Sequence, residues 1–206
     1  MQRIILITGV PGVGKTTTSA LLKQKLDAIH IDVSKVVKEE KLYESIDEER
    51  QSLIIDIEKL RSRIEDIKIS TTKDIILDGH GTENALISDE VSNVFVLRRA
   101  PWDIKKVLTN RGWSFSKMKE NVEAEIIDIS LADTLEIFET SKICEIDTTG
   151  KSTEVIVEIM IEIINNKKSC GFGNIDWLGY EETQKLIEGL NVRSCKMSTM
   201  QKSCTR

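Results

Sequence analysis

The chain has 206 residues and a formal net charge of −5, with 40% hydrophobic and 31% charged residues. This length suits one domain that can bury its own core without a metal or a disulfide. The charge argues against a surface that attracts nucleic acid everywhere, and an aromatic content of 4% argues against an extensive base-stacking platform. No apolar run reaches the length of a membrane span and no apolar signal core stands near the first residues, so we expect a cytoplasmic protein without membrane contacts.

The cysteines and histidines give no pattern of a metal site. The four cysteines are Cys144, Cys170, Cys195 and Cys204, and none of them are spaced as C-x-x-C. The chain has 2 histidines, too few for a site built on imidazole. We therefore expect free thiols, as is usual in a reducing compartment.

Apolar runs alternate with segments of helical period along the chain, which is typical of an α/β fold with a parallel sheet. Five buried strands are predicted, at about 3–8, 28–32, 74–78, 93–97 and 143–147. Long helices are predicted at about 15–27, 47–67, 101–110, 121–138 and 153–164, with Asp47 as the cap of the second. A short helical segment is expected after residue 34, a polar loop at 111–120, and a small helical unit at 175–190. From residue 191 the chain is polar and basic, and we expect it to fray.

The segment Gly9–Thr16 has the phosphate-binding pattern G-x-x-x-x-G-K-[ST], between the first predicted strand and its helix. Glycines allow the backbone to curl so that its N–H groups face phosphate oxygens, and the helix adds its positive end. Lys15 can reach the β- and γ-phosphates, and the Thr16 hydroxyl can bind magnesium. The sequence predicts a P-loop nucleoside triphosphate hydrolase fold with a five-stranded parallel sheet flanked by helices. The ATP-binding residues predicted from this segment are Gly12, Gly14, Lys15, Thr16 and Thr17.

Asp78 ends the third predicted strand, and His80 follows two residues later. Ligands bind at the carboxyl ends of the strands in a parallel sheet, so a carboxylate there can hold magnesium through water. Neutral imidazole at His80 can orient water or a phosphate oxygen. No guanine-reading N-K-x-D motif is present, and a core of this size favours a small P-loop kinase over a GTPase.

The motifs taken together resemble the adenylate kinase isoenzyme 6 family, over about residues 3–165. The segments that carry the resemblance, in the family's order and spacing, are Thr8–Thr17, Lys38–Tyr43, Asp78–Gly81, Val94–Arg98, Asn110–Trp113, Asn121–Ile126 and Asp147–Gly150. The resemblance implies a kinase domain over 1–165, with a monophosphate-binding segment at about 32–53 and a lid at about 110–120. Residues 166–206 are then a C-terminal extension, partly helical with a basic end.

Several site roles follow from the resemblance. It places Arg111 in the lid, where a guanidinium can stabilise charge on the transferring phosphate. Lys151 is expected near the adenine, and Asp78 and His80 are associated with activity. In the segment that would bind the acceptor monophosphate, Lys38 stands where relatives carry arginine. Lysine keeps the positive charge but cannot donate the two parallel hydrogen bonds of a guanidinium. Arg98 follows a buried strand and can also reach the acceptor.

The resemblance implies a magnesium-dependent nucleoside monophosphate kinase (ATP + AMP = 2 ADP) in which Lys15, Asp78, His80 and Arg111 are catalytic. Thr16 and Asp78, the latter through water, would hold Mg²⁺. Because the lid is short, we also expect ATPase activity. An alternative from the same resemblance is an ATP-dependent assembly factor for the small ribosomal subunit and rRNA maturation, with a small-subunit ribosomal protein and pre-ribosomal RNA as partners. A kinase for a small molecule such as shikimate is a third possibility that fits the His80 motif less well.

Overall fold

A computed structural model describes residues 2–48 and 52–191 of the chain. The described residues form seven strands: β1 (Ile4–Thr8), β2 (Ile29–Asp32), β3 (Tyr43–Asp47), β4 (Ser52–Ile55), β5 (Ile75–Asp78), β6 (Val91–Arg98) and β7 (Ile143–Asp147). The first helices are α1 (Lys15–Leu26), α2 (Val33–Glu39), α3 (Ile57–Ser70) and α4 (Pro101–Asn110). They are followed by α5 (Phe115–Ile126), α6 (Ile129–Ile137), α7 (Thr153–Ile164) and a last helix, α8, over residues 181–191.

The core is a five-stranded parallel sheet, as the sequence predicts, and its strand order is β2-β5-β1-β6-β7. All five residues of the central strand β1 are buried, which explains its unbroken apolar run. Its side chains alternate between two apolar clusters: Ile5 and Ile7 face one, and Ile4 and Leu6 face the other. Because β2, β5 and β1 are parallel neighbours, their carboxyl ends come together at one edge of the sheet.

The prediction of a helix at 47–67 is wrong for the first part of that range. The chain instead forms an antiparallel hairpin, β3 with β4, and α3 begins only after Asp56, whose carboxylate accepts the Lys59 N–H at 3.1 Å. Leu60 and Ile64 are buried on the later turns, and that part of the predicted helix is confirmed. The alternating pattern of the hairpin is weak in sequence because most of its residues lie exposed on both faces.

The region predicted as a long polar loop is largely helical. The connection after α4 is short, because Ser114 caps α5 by accepting the Lys117 N–H at 3.3 Å. The single helix predicted at 121–138 is two helices, and the break falls at Asp128, which has a left-handed backbone (φ 59°). Of the segment 110–120 for which a lid is predicted, only the four residues between α4 and α5 lie outside helices.

Residues 166–191, after α7, pack against the sheet and its helices as part of the core. Trp177, Leu186 and Leu190 are buried, and the two leucines join the apolar cluster on the α1–α7 face of the sheet. The Glu145 N–H donates to the Gly171 carbonyl at 2.8 Å, so the extension runs beside the edge strand β7. The basic end predicted to fray lies, from residue 192, outside the described residues.

The prediction of free thiols is wrong for two of the four cysteines. Cys144 in β7 and Cys170 in the extension form a disulfide, with their Cα atoms 5.0 Å apart. The partners are 26 residues apart in sequence and meet only because the extension returns along β7. Cys195 and Cys204 lie outside the described residues. None of the helices in the described ranges has the length and apolar character needed to cross a bilayer.

Candidate nucleotide site

The phosphate loop joins β1 to α1 and is shaped by glycines with positive φ. Gly9, Gly12 and Gly14 have φ values of 134°, 101° and 103°, which residues with a Cβ rarely adopt. A Cβ on Gly9 would stand 2.4 Å from the Leu97 carbonyl oxygen of the neighbouring strand β6. No side chain caps α1, whose N-cap is Gly14, so its first amides are available to an anion.

The outer side of the loop is held by side chains that follow β6 and β7. The Arg99 guanidinium donates to the Gly12 carbonyl at 3.3 Å, and the Thr148 hydroxyl lies 3.1 Å from the Val13 carbonyl. Because these contacts occupy carbonyl oxygens on the outer side, the loop keeps its curl before any ligand binds.

Lys15 lies inside the curl of the loop. Its ammonium donates to the carbonyl oxygens of Gly9 and Val10, at 2.7 and 3.2 Å. Burial lowers the pKa of Lys15 from 10.5 to about 8, although Asp78 and Glu83 act in the opposite direction. The ammonium is therefore poorly hydrated, and an incoming phosphate would replace contacts that are now made only to carbonyls.

Asp78 stands at the end of β5 and turns its two carboxylate oxygens toward different partners. Oδ1 lies 3.5 Å from the Thr16 hydroxyl, and Oδ2 lies 2.7 Å from Nε2 of His30. A hydroxyl and a carboxylate are oxygen ligands of the kind that Mg²⁺ prefers, beside phosphate oxygens and water. The described residues contain no cluster of three or more acidic, histidine or cysteine side chains that could hold a metal alone. The residues present therefore fit Mg²⁺ that arrives with a nucleotide.

His80 follows the carboxyl end of β5, and its side chain is exposed at the surface of the site. Desolvation lowers the pKa of His80 and the Glu83 carboxylate opposes that shift, so the net effect favours the neutral imidazole. Glu83 is itself buried and accepts a hydrogen bond from the Thr8 hydroxyl at 2.5 Å. A neutral imidazole here can both donate and accept a hydrogen bond.

Arg111 caps the end of α4 and faces the phosphate loop across the cavity. Its positive charge is close enough to Lys15 to help lower the pKa of that ammonium. Trp113, two residues later, lines the cavity beside it and lies under the ammonium of Lys117, 5.0 Å from the ring centroid. The four-residue connection thus brings a cation and an aromatic ring to the mouth of the site.

These groups enclose one cavity of about 290 Å³ at the carboxyl edge of the sheet. Most of the predicted site residues line it: Gly12, Gly14, Lys15, Thr16, Thr17, Asp78, His80 and Arg111. Four further lining residues were not predicted: Pro11, Asp32, Ser34 and Trp113. Asp32 ends β2 directly beside Asp78 in the strand pairing, a neighbourhood that depends on the order of strands in the sheet, which the sequence analysis did not predict. His30 was also missed as a partner of Asp78.

Three of the predicted residues do not line this cavity. Lys38 is exposed in the last turn of α2. Lys151 donates to the Asp147 carbonyl at 2.8 Å and lies beside the Cys144–Cys170 disulfide, near a different depression. Arg98 is 1% exposed, and its guanidinium is held by the carboxylates of Glu125, Asp128 and Glu145. The guanidinium of Arg98 therefore lies in a buried ion network and not in the lining of the cavity.

The parallel sheet, the phosphate loop and the cavity above it define a P-loop phosphate-binding protein. The family described as "AAA domain" matches residues 5–128, so the chain belongs to it. Proteins named "Putative adenylate kinase" are close in sequence. The one from Saccharolobus solfataricus is 39% identical over 188 residues, covering 91% of this chain and 94% of that protein. The one from Methanocaldococcus jannaschii is 42% identical over 173 residues, covering 84% and 92%.

Solved kinases share the fold of the chain at low sequence identity. Shikimate kinase from Bacteroides thetaiotaomicron aligns with a TM-score of 0.54 and 15% identity, covering 79% of this chain and 98% of that one. Shikimate kinase from Acinetobacter baumannii in complex with shikimate gives the same TM-score with 14% identity, covering 82% and 96%. These likenesses confirm the predicted P-loop kinase fold.

Proposed function

We propose that the protein is a nucleoside monophosphate kinase that transfers the γ-phosphate of ATP to AMP, with a slower hydrolysis of ATP beside it. The observation that carries the proposal is the single cavity in which Lys15, Thr16, Asp78, His80 and Arg111 converge. The relatives named as adenylate kinases, which match most of the chain, support the same reaction class. A small molecule with a hydroxyl group, such as shikimate, is a less supported acceptor, because only the similarity of fold favours it.

In this proposal the phosphate loop holds the donor. The amides of the loop and of the first turn of α1 would bind the α- and β-phosphates, and Lys15 would bind β- and γ-oxygens. Thr16 directly, and Asp78 through water, would hold Mg²⁺, which supplies positive charge to the phosphate oxygens when it is bound with ATP. Thr17 and the glycines of the loop complete the donor site.

The transferring phosphate would lie between Lys15 and Arg111, on opposite walls of the cavity. Both cations would then meet charge that spreads over the phosphate oxygens in the transition state. The neutral imidazole of His80 would orient the attacking acceptor oxygen or a water molecule. Because the lid connection has only four residues, we expect incomplete exclusion of water and thus a measurable ATPase rate.

The acceptor would lie on the side of Asp32 and Ser34, between the phosphate loop and α2. Lys38 lies at the far end of α2, exposed, and it would reach an acceptor phosphate only if this segment closes over the cavity. For Lys151 we propose a contact near the adenine, as the resemblance implies. A role in assembly of the small ribosomal subunit rests on the resemblance alone, since no contact among the described residues supports it.

The test is product formation by the purified protein from Mg-ATP and a panel of nucleoside monophosphates. We expect ADP to form from ATP and AMP well above the rate with ATP alone, and other monophosphates to be poorer acceptors. Lys15→Met should abolish both rates, because the phosphate loop then loses its ammonium. Equal ADP formation with and without AMP would contradict the kinase proposal and leave an ATPase. No ADP formation under either condition would overturn both.

A further inference from the structure

His30 is the polar side chain beside the site that the reaction described above does not use. It lies on β2, the edge strand of the sheet, where it stands beside Ile76, while Asp32 stands beside Asp78. Side chains two residues apart on a strand share a face, so His30 and Asp32 both border Asp78. Both strands are held by the parallel pairing of β2 with β5, so the contact joins rigid elements rather than loops.

The contact between His30 and Asp78 is short and shielded from water. Nε2 of His30 lies 2.7 Å from Oδ2 of Asp78, and the side chains are 13% and 4% exposed. A buried carboxylate oxygen without a partner is costly, and a hydrogen bond to an ionised group is stronger than one between neutral groups. His30 is the partner that the structure provides for this oxygen.

The same contact leaves the second oxygen of Asp78 directed at the phosphate loop. Oδ1 faces the Thr16 hydroxyl at 3.5 Å, on the side of the cavity. If Oδ2 lost its partner, the carboxylate could rotate and turn both oxygens toward other donors, of which the Lys15 ammonium is the closest cation in the loop. Partners that orient a group holding a metal commonly change metal affinity or activity by about 10–100-fold when they are removed.

We infer that His30 is a positioning residue for the magnesium–nucleotide complex: its Nε2–H fixes Oδ2 of Asp78, so that Oδ1 is presented to the hydrated Mg²⁺ beside Thr16. The inference rests on the proposed function only in that the ligand is a magnesium-bound nucleoside triphosphate. His30 does not touch the transferring phosphate and is not a catalytic residue. Its effect is confined to the gain in nucleotide affinity that Mg²⁺ provides.

The test compares substitutions that keep or remove a donor at the position of Nε2. The amide nitrogen of glutamine reaches about as far as Nε2, the amide of asparagine ends near Nδ1, and leucine has no donor. Binding of a non-hydrolysable ATP analogue is measured by calorimetry for wild type, His30→Gln, His30→Asn and His30→Leu, in excess Mg²⁺ and again in EDTA. Lys25→Gln, an exposed change on α1, is the matched control.

In His30→Leu and His30→Asn, we expect the factor by which Mg²⁺ raises nucleotide affinity to be about tenfold smaller than in wild type. Nucleotide affinity measured in EDTA should stay within twofold of wild type. His30→Gln and Lys25→Gln should keep the gain within twofold. The asparagine variant keeps the comparison possible if the leucine variant does not fold. The inference is overturned if the gain is unchanged in both variants that lack a donor at the position of Nε2, if affinity in EDTA falls equally, or if glutamine behaves as leucine does.

This experiment separates the two proposals, because it measures binding and not turnover. A wild-type protein that shows the magnesium gain and its dependence on His30, but makes no ADP from ATP and AMP, would refute the kinase function alone. A wild-type protein that makes ADP while its nucleotide affinity is indifferent to His30 would refute the inference alone.

Discussion

Lys15 shows how the environment of a single residue sets the working range of the site. Its ammonium is surrounded by the loop, so burial lowers its pKa to about 8, within the range where proteins operate. A lysine in water would keep its proton to a pH near 10.4. The charge that is needed to bind phosphate is therefore held less firmly here than in an exposed lysine.

Nucleotide affinity should consequently fall as the pH rises through about 8. Phosphate binds the protonated form of Lys15, so above this pH the free protein must take up a proton before it binds nucleotide. Nucleotide affinity should therefore fall by up to about tenfold per pH unit. The measurement is calorimetric titration with a non-hydrolysable ATP analogue between about pH 7 and pH 9.5. Lys15→Arg, whatever its affinity at pH 7, should give a flatter profile, because a guanidinium stays charged. Parallel profiles for the two proteins would contradict this explanation.

At the scale of elements, Arg98 joins three parts of the chain. From the end of β6 it donates to Glu125 on α5 at 2.7 Å and to Glu145 on β7 at 2.5 Å. Glu125 also accepts the Trp177 indole N–H of the extension at 2.9 Å. Burial raises the pKa of Glu125 to about 7 in spite of the attraction of Arg98. The Arg98 guanidinium thus balances the negative charge of carboxylates that are buried away from water.

Arg98→Met should lower the free energy of unfolding by about 3–5 kcal/mol, because it leaves Glu125 and Glu145 buried without their cation. Urea denaturation followed by circular dichroism measures this loss. Lys106→Met, an exposed change on α4, should stay within about 0.5 kcal/mol of wild type. Unchanged stability together with a large rise in the KM for AMP would show instead that Arg98 serves the acceptor.

At the scale of the whole molecule, the extension closes the edge of the sheet. The Cys144–Cys170 disulfide and the hydrogen bond from Glu145 to Gly171 attach it to β7, and Trp177 and Leu190 bury their side chains against the domain. An edge strand that is covered in this way is protected from pairing with other chains. The extension is therefore a structural part of the domain and not an independent tail.

Breaking the disulfide should destabilise the protein by about 2–4 kcal/mol, because the unfolded chain then loses a closed loop spanning 26 residues. Urea denaturation with and without a reductant, and of Cys170→Ser without it, should give matching losses. Cys195→Ser is the control and should keep the stability of the oxidised protein. Titration of the denatured, unreduced protein should find no more than two free thiols, and four would show that Cys144 and Cys170 are not joined.

The sequence alone was sufficient for those features that depend on residues near one another in the chain. The buried run before Gly9 and the glycine–lysine pattern after it predicted the phosphate loop, because the strand, turn and helix signals follow one another directly in the chain. Helices α4 and α7 were predicted with their observed bounds, since Pro101 and Ser152 mark their starts. The apolar runs of the five core strands likewise required no knowledge of their neighbours.

The tertiary structure decided the features that depend on pairing between distant segments. The β3–β4 hairpin forms because two short, mostly exposed strands find each other, and neither has a strong pattern by itself. Arg98 entered a buried ion network, and Cys144 met Cys170, because α5 and the extension fold back onto β6 and β7. His30 is bound to Asp78 only through the order of strands in the sheet. Sequence determines which groups a chain can offer, whereas their charge states and partners depend on burial, which only the assembled sheet and its helices create.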